Sequence, residues 1–399
     1  MLLRHHARAR FADLVSATTI ASVILTLGCS ADRAVKPSDG DIDLSASGPV
    51  ALGLLGQPIP IDFQTYENSH QVVHPSAVAF ASDWHGHRFW LALTPYPNSD
   101  SEVENPSLFG SATGDSWAVP SGITNPVATT GRGYLSDPEL AYDPTSDELR
   151  LYYREVVERG HRKHKRHQAD IVYITRSSDG ERWSAPVAIL NDMGHYVVSP
   201  SVTRRGDSDW LMWSVDAGTR GCASQSNHLI MRQSTDGLAW TLPTRVSFQQ
   251  PGFLPWHLDV QYVPQPNAYW ALVAAYPRGH DCTTSSLFLA TSTDGTNWTT
   301  YPTPLLSRGV LPQFATNVYR STFAFEGSGN GMTIWLTGAR TVAPGHGRTA
   351  PVLRWSAAVW HTNAQALLEH VKVERKTEAI APVTEPSFLK QLAASNALP

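Results

Sequence analysis

The feature that most constrains this chain is a short turn that returns at nearly constant spacing. Ser177-Ser178-Asp179-Gly180-Glu181-Arg182-Trp183 sets the pattern Ser-x-Asp-Gly-x-x-Trp, which recurs at residues 234–240 and 292–298, with a weaker copy at 111–117. The closing residues Trp117, Trp183, Trp240 and Trp298 fall 66, 57 and 58 residues apart. A period of this size built from short strands indicates a propeller or a solenoid. Asp-Gly between two β-rich runs supplies the positive φ of a tight hairpin, so each copy reads as the last hairpin of one repeat.

A second marker counts the repeats. Strand-opening triplets recur at His74-Pro75-Ser76, Asp137-Pro138-Glu139, Ser199-Pro200-Ser201, His257-Leu258-Asp259 and Arg320-Ser321-Thr322, at intervals of 63, 62, 58 and 63 residues. Each opens a short strand, followed by a polar hairpin, a strongly apolar second strand such as residues 89–93 or 210–213, a long connection, and a third strand leading into the Asp-Gly turn. Five openings predict an all-β, five-bladed β-propeller with four-stranded antiparallel blades. Strands of such a blade alternate in direction, so the openings and the five long connections share one face, where binding and catalysis concentrate. The fifth repeat lacks the turn; residues 50–55 or 59–63 can close its sheet from the N-terminal side. A short helix is expected over 365–373.

The N-terminal residues 1–29 read as a lipoprotein-type signal peptide, with a basic start, an apolar stretch over 14–27 and Cys29 as the lipidated residue. Residues 30–48 read as a flexible tether, 49–363 as the propeller and 364–399 as a C-terminal helix and tail. This implies a bacterial cell-envelope protein, anchored to a membrane through lipid or secreted. In an oxidising compartment Cys222 and Cys282, in equivalent loops of neighbouring repeats, can pair. A disulfide closing roughly 60 residues stabilises by about 4 kcal/mol on chain-entropy grounds. The net charge of −4 gives no reason to expect a nucleic-acid partner.

In a propeller the first strands line the channel, so their openings converge. His74, Asp137, Ser199, His257 and Arg320 then meet, with Glu139 and Asp259 two residues on and on the same side of their strands. Acids, imidazoles and a guanidinium in one depression suit hydrolysis, one carboxylate activating water or attacking and a protonated group assisting departure. Glu104 and Glu155, on long connections, are candidate acids beside Asp137 and Asp259. His74, Glu139, His257 and Arg320 are candidate substrate-binding groups, and Tyr96 and Trp256 candidate stacking surfaces. The basic run 159–167 reads as a solvated loop. No phosphate-cradling loop, His-Glu-x-x-His or Gly-x-Ser-x-Gly is present. No metal ligands are assigned and no cofactor is expected, a structural calcium ion at the axis being the one exception this reading allows.

On these openings and turns the chain resembles the five-bladed, glycan-active propellers, the group containing arabinanases and fructan hydrolases. Its Ser-x-Asp-Gly-x-x-Trp turns are similar to the Asp-box turns of sialidases, one residue shorter before the glycine. The resemblance implies a glycoside hydrolase whose first three blades contribute an Asp base, an orienting Asp and a Glu acid. Only Asp137 matches that scheme; His74 and Ser199 depart from it. Those departures favour a non-catalytic carbohydrate-binding surface protein as the alternative, and a metal-dependent lyase or esterase centred on His74 and His257 as a third reading.

Overall fold

The inner strands do not begin at the marker triplets; they run through them on a bulge. The computed structural model describes residues 55–160, 166–263, 267–326, 330–343 and 351–380, with 373–380 described by backbone alone. The expected leader, the tether, the middle of the basic run and the tail beyond 380 lie outside the described residues. A first short strand, β1 (Ile59–Ile61), is followed by five antiparallel sheets in chain order. The first holds β2 (Val72–Trp84), β3 (His87–Pro95) and β4 (Ser107–Ser111). The second holds β5 (Gly133–Asp143), β6 (Glu148–Arg159), β7 (Arg166–Ser177) and β8 (Val187–Met193). The third holds β9 (Val197–Gly206), β10 (Asp209–Asp216), β11 (His228–Ser234) and β12 (Thr244–Arg245). The fourth holds β13 (Phe253–Val263), β14 (Ala268–Pro277), β15 (Ser286–Ser292) and β16 (Thr299–Thr300). The fifth holds β17 (Asn317–Glu326), β18 (Gly331–Val342) and β19 (Val352–Asn363), and β1 completes it by pairing with β19.

Two expectations need correction. The first sheet has three strands; an isolated bridge between Gly110 and Ala118 stands where its fourth would be. The closing helix α1 (Ala364–Ile380) is longer than its expected span, and Ala364, Leu367, Leu368 and Val371 pack it against Phe314, Ile334 and Leu336. Of the two expected closing segments, 59–63 supplies the strand.

The register of every inner strand slips at its marker: between Val73 and Ser76, Ser136 and Glu139, Pro255 and His257, Val318 and Ser321, and opposite Trp213 to Val215 for β9. His74, Asp137 and Ser199 take left-handed backbone, with φ of 57°, 49° and 56°. A left-handed residue before proline is disfavoured twice over, and such strain persists where the surroundings over-determine it, commonly at functional sites. The prolines themselves cost no ladder bond, because the bulge has already interrupted the ladder.

The sheets are locked into cyclic order by the recurring turn. In each copy the serine hydroxyl accepts from the glycine N–H, as Ser177 does from Gly180 at 2.8 Å and Ser292 from Gly295 at 2.9 Å. The glycine then docks on an aromatic residue in the second strand of the preceding sheet. Tyr152 donates to Gly237 O at 3.1 Å, Trp213 to Gly295 O at 2.8 Å and Trp335 to Gly114 O at 2.8 Å, while Gly180 lies against the Trp90 ring. The inner strands touch in sequence from β2 through β5, β9, β13 and β17 and back to β2. Their openings therefore face one centre.

Candidate functional site

Three bulged openings deliver His74, Asp137 and His257 to one point, and all three are buried. Nε2 of His74 lies 3.6 Å from Oδ1 of Asp137, and Nδ1 of His257 lies 3.4 Å from the same oxygen. One ligand nitrogen or oxygen from each lies within 4.8 Å of those of the other two. Burial together with nearby arginines holds both imidazoles neutral: His74 is lowered to about 4 and His257 well below its usual range, although the Asp137 charge opposes the shift. Burial alone would raise the Asp137 carboxyl; the positive groups around it, Arg154 and Arg320 included, outweigh this and hold it well below the usual carboxylate range.

Each of these groups has one polar atom engaged and one without a partner. Nδ1 of His74 meets Thr94 Oγ1 at 3.2 Å and Ser136 Oγ at 3.3 Å, and Nδ1 of His257 meets Ser199 Oγ at 2.6 Å. Oδ2 of Asp137 accepts from Arg154 Nε at 2.9 Å. Nε2 of His74, Nε2 of His257 and Oδ1 of Asp137 have no hydrogen-bond partner. Buried polar atoms without partners are costly, and two imidazoles and a carboxylate drawn this close are a donor set that a bound cation would satisfy. The sequence reading assigned no metal ligands, while its third alternative centred a metal-dependent enzyme on His74 and His257.

Above them opens a cavity of about 420 Å³, with His74, His257, Glu104, Ser136 and Arg154 at its base and Tyr96, Trp256, Tyr319 and Trp355 among its walls. Glu104 is buried, with Oε1 3.6 Å from His74 Nδ1. Burial, and then the Asp137 charge, raise its carboxyl well above the ordinary value. Trp256 donates from its indole to Tyr319 OH at 2.9 Å, and the Tyr96 and Trp355 rings lie 5.3 Å apart.

The other expected site residues go elsewhere. Glu155 is not among the residues lining this cavity: its carboxylate is engaged by Arg132, Thr130 and Tyr173. Adjacent strand residues face opposite ways, so the inward turn of Arg154 sends Glu155 outward. Glu139, Asp259 and Arg320 form a buried layer off the cavity; Arg320 pairs with Glu139 at 2.5 Å and reaches Asp137 Oδ1 at 3.9 Å, and Thr322 donates to Asp259 at 3.2 Å. None of the three lines the cavity. His167, expected in a solvated loop, is turned in, stacked on Tyr196 and paired with Asp170 at 2.9 Å. Arg154, which bridges Asp137 and Asp170, escaped the sequence reading; period-two alternation from the neighbouring Glu155 was the signal available. Cys222 and Cys282 are bonded, with Cα atoms 4.9 Å apart, in the cavity wall.

No protein-family profile matches the chain. An A type blood N-acetyl-alpha-D-galactosamine deacetylase of Flavonifractor plautii is 29% identical over 331 residues, 69% of this chain and 42% of that protein. The chain thus spans about two fifths of the length of this curated relative. Among solved structures, an N-acetylgalactosamine deacetylase from F. plautii in complex with blood group B trisaccharide matches with a TM-score of 0.70 and 25% identity, over 80% of this chain and 97% of that one. A xylan beta-1,4-xylosidase from Bacillus halodurans matches at 0.55 and 16% identity, over 78% and 57%, and shares the fold alone. By sequence and by fold, this chain is similar to glycan-active proteins.

Proposed function

We propose that the five sheets are the blades of a five-bladed β-propeller, and that the protein is a metal-dependent hydrolase removing the acetyl group from an N-acetylated amino sugar. The observation that carries this is the buried cluster of His74, Asp137 and His257, one ligand atom of each lying within 4.8 Å of the others, beneath a cavity lined by Glu104. Two neutral imidazoles and a carboxylate suit a divalent ion such as zinc, which would polarise the acetamide carbonyl and the attacking water. Thr94 and Ser136 engage Nδ1 of His74, leaving its Nε2 facing Asp137, and Ser199 fixes the His257 ring through the Nδ1 that faces the same carboxylate. Glu104, whose carboxyl burial and then the Asp137 charge raise well above its ordinary value, is the group placed to take a proton from water and return it to the departing amine. The products are the free amino sugar and acetate.

Amide cleavage is favoured over glycosidic cleavage because the latter needs two carboxylates flanking one bond. Of Asp137, Asp259, Glu104 and Glu155, only Glu104 lines the cavity. The similarity to the deacetylases supports the same choice. Export through the N-terminal leader, with lipid attached at Cys29, is part of the proposal; the Cys222–Cys282 bond suits an oxidising compartment.

The test is acetate release by the full chain from N-acetylgalactosamine glycosides, with reducing-end release measured alongside. Acetate release that a chelator abolishes and zinc or manganese restores is the expected result. Chelator-resistant reducing-end release would establish glycosidic cleavage instead. Glycan binding with neither product would leave a capture protein.

A further inference from the structure

The Cys222–Cys282 bond joins a loop of the third sheet to one of the fourth, at residues 218–223 and 282–284. On the far side of this ridge lies a second depression of about 540 Å³. It shares Arg220, Ala223 and Thr283 with the first cavity and adds Gln225, His280 and Asp281, so the two adjoin along the ridge. The Gln225 side chain staples its rim: its amide donates to His280 O at 2.7 Å and accepts from Gly279 N at 2.8 Å. Asp281 is fixed by accepting from the Thr283 N–H at 3.0 Å and hydroxyl at 2.6 Å. A rim tied across two sheets by a disulfide and two hydrogen bonds is preorganised, which lowers the ordering cost of binding.

We propose that this depression is a second saccharide subsite, holding the sugar next to the one that reacts, so that the preferred substrate is an oligosaccharide lying across the disulfide. This rests on the deacetylase reading of the first cavity. The volume falls within the range of small-ligand sites. Its chemistry points to a neutral sugar: Arg220, His280, Asp281 and Gln225 offer exposed donors and acceptors of both signs, suited to hydroxyl groups, with no excess of one charge.

The experiment compares kcat/KM for acetate release from a p-nitrophenyl N-acetylgalactosaminide and from a neutral trisaccharide ending in N-acetylgalactosamine, using the full chain with metal. Arg220→Ala and His280→Ala remove exposed side chains, and thermal midpoints confirm folding. The ratio of trisaccharide to monosaccharide kcat/KM is expected to favour the trisaccharide and to fall about tenfold in Arg220→Ala, the loss of a charge-assisted hydrogen bond, with Arg220→Lys recovering part of it. An unchanged ratio in both variants would overturn the subsite. A tenfold preference for a trisaccharide whose second residue carries a carboxylate or sulfate would overturn its neutral character. If no acetate is released from anything, the deacetylase reading fails, and calorimetric titration still decides: trisaccharide binding weakened by Arg220→Ala upholds the subsite, and binding unaffected by it sinks it.

Discussion

Arg154 and Asp137 form the joint on which the centre turns. The Nε–H of Arg154 donates to Asp137 Oδ2 at 2.9 Å, and its NH1 donates to Asp170 Oδ2 at 3.0 Å. The guanidinium thus fixes one oxygen of Asp137 and leaves the other toward the two histidines. Asp170 is itself held by His167 and by the Val197 N–H at 2.7 Å. The position of the candidate metal ligand is set by a buried chain of charges reaching to the next sheet.

Asp137→Asn keeps the shape and removes the charge that both Arg154 and a cation need. Metal content measured by plasma mass spectrometry should drop below a tenth of wild type. Urea unfolding should show a loss of about 3–5 kcal/mol, the cost of leaving a buried guanidinium half-paired. Full metal occupancy in this variant would remove Asp137 from the ligand set.

Glu104 separates chemistry from binding. Glu104→Gln preserves volume and hydrogen bonding but cannot move a proton. A fall of about 10²–10⁴ in kcat is expected, with KM and metal content little changed. A drop in metal content matching the drop in rate would mean that Glu104 acts on the ion.

The inner layer of Glu139, Asp259 and Arg320 makes stability depend on pH. Burial, and then the Asp259 charge, raise the Glu139 carboxyl to about 8, and burial raises Asp259 to about 6. Both lie above their ordinary values of 4.5 and 3.8, so between about pH 4 and 8 the folded protein holds protons that the unfolded chain has released. Stability from this layer is therefore full below that window and falls as pH rises through it. Urea midpoints of chelated protein at pH 5 and 8.5 should show the decline, and Asp259→Asn should flatten it. Midpoints equal at both pH values in the wild type would contradict the assignment.

Gly295 tests the seam between sheets. Its φ is +76°, and a Cβ there would stand 2.8 Å from the Trp213 ring. Gly295→Ala should cost about 1–3 kcal/mol through strain and displacement of that ring. The hydrogen bond from Trp213 to Gly295 O would lengthen, which indole fluorescence can follow. A neutral effect on the denaturant midpoint would show that the turn does not lock the sheets.

What the sequence determined by itself is the periodic part: the Asp-Gly turns, the five strand openings and the order of the inner strands; for the strand completing the last sheet it left two N-terminal segments open. The periodic features follow from local rules, since positive φ at glycine and apolar alternation act over a few residues. It also placed His74, Asp137 and His257 at equivalent openings, which a repeat brings to one centre. Tertiary structure alone decided what those openings do. Whether Glu104 or Glu155 reaches the cavity depends on strand alternation and on Arg132, more than twenty residues away in sequence from Glu155, claiming the second carboxylate. Whether Asp259 joins Asp137 or Arg320's layer depends on depth along the inner strand, which two residues of spacing set only once the bulge is known. Arg154 was hard to read for the same reason: its role exists only between Asp137 and Asp170 on the two strands flanking its own, and of that cross-strand pairing the sequence shows only the period-two alternation.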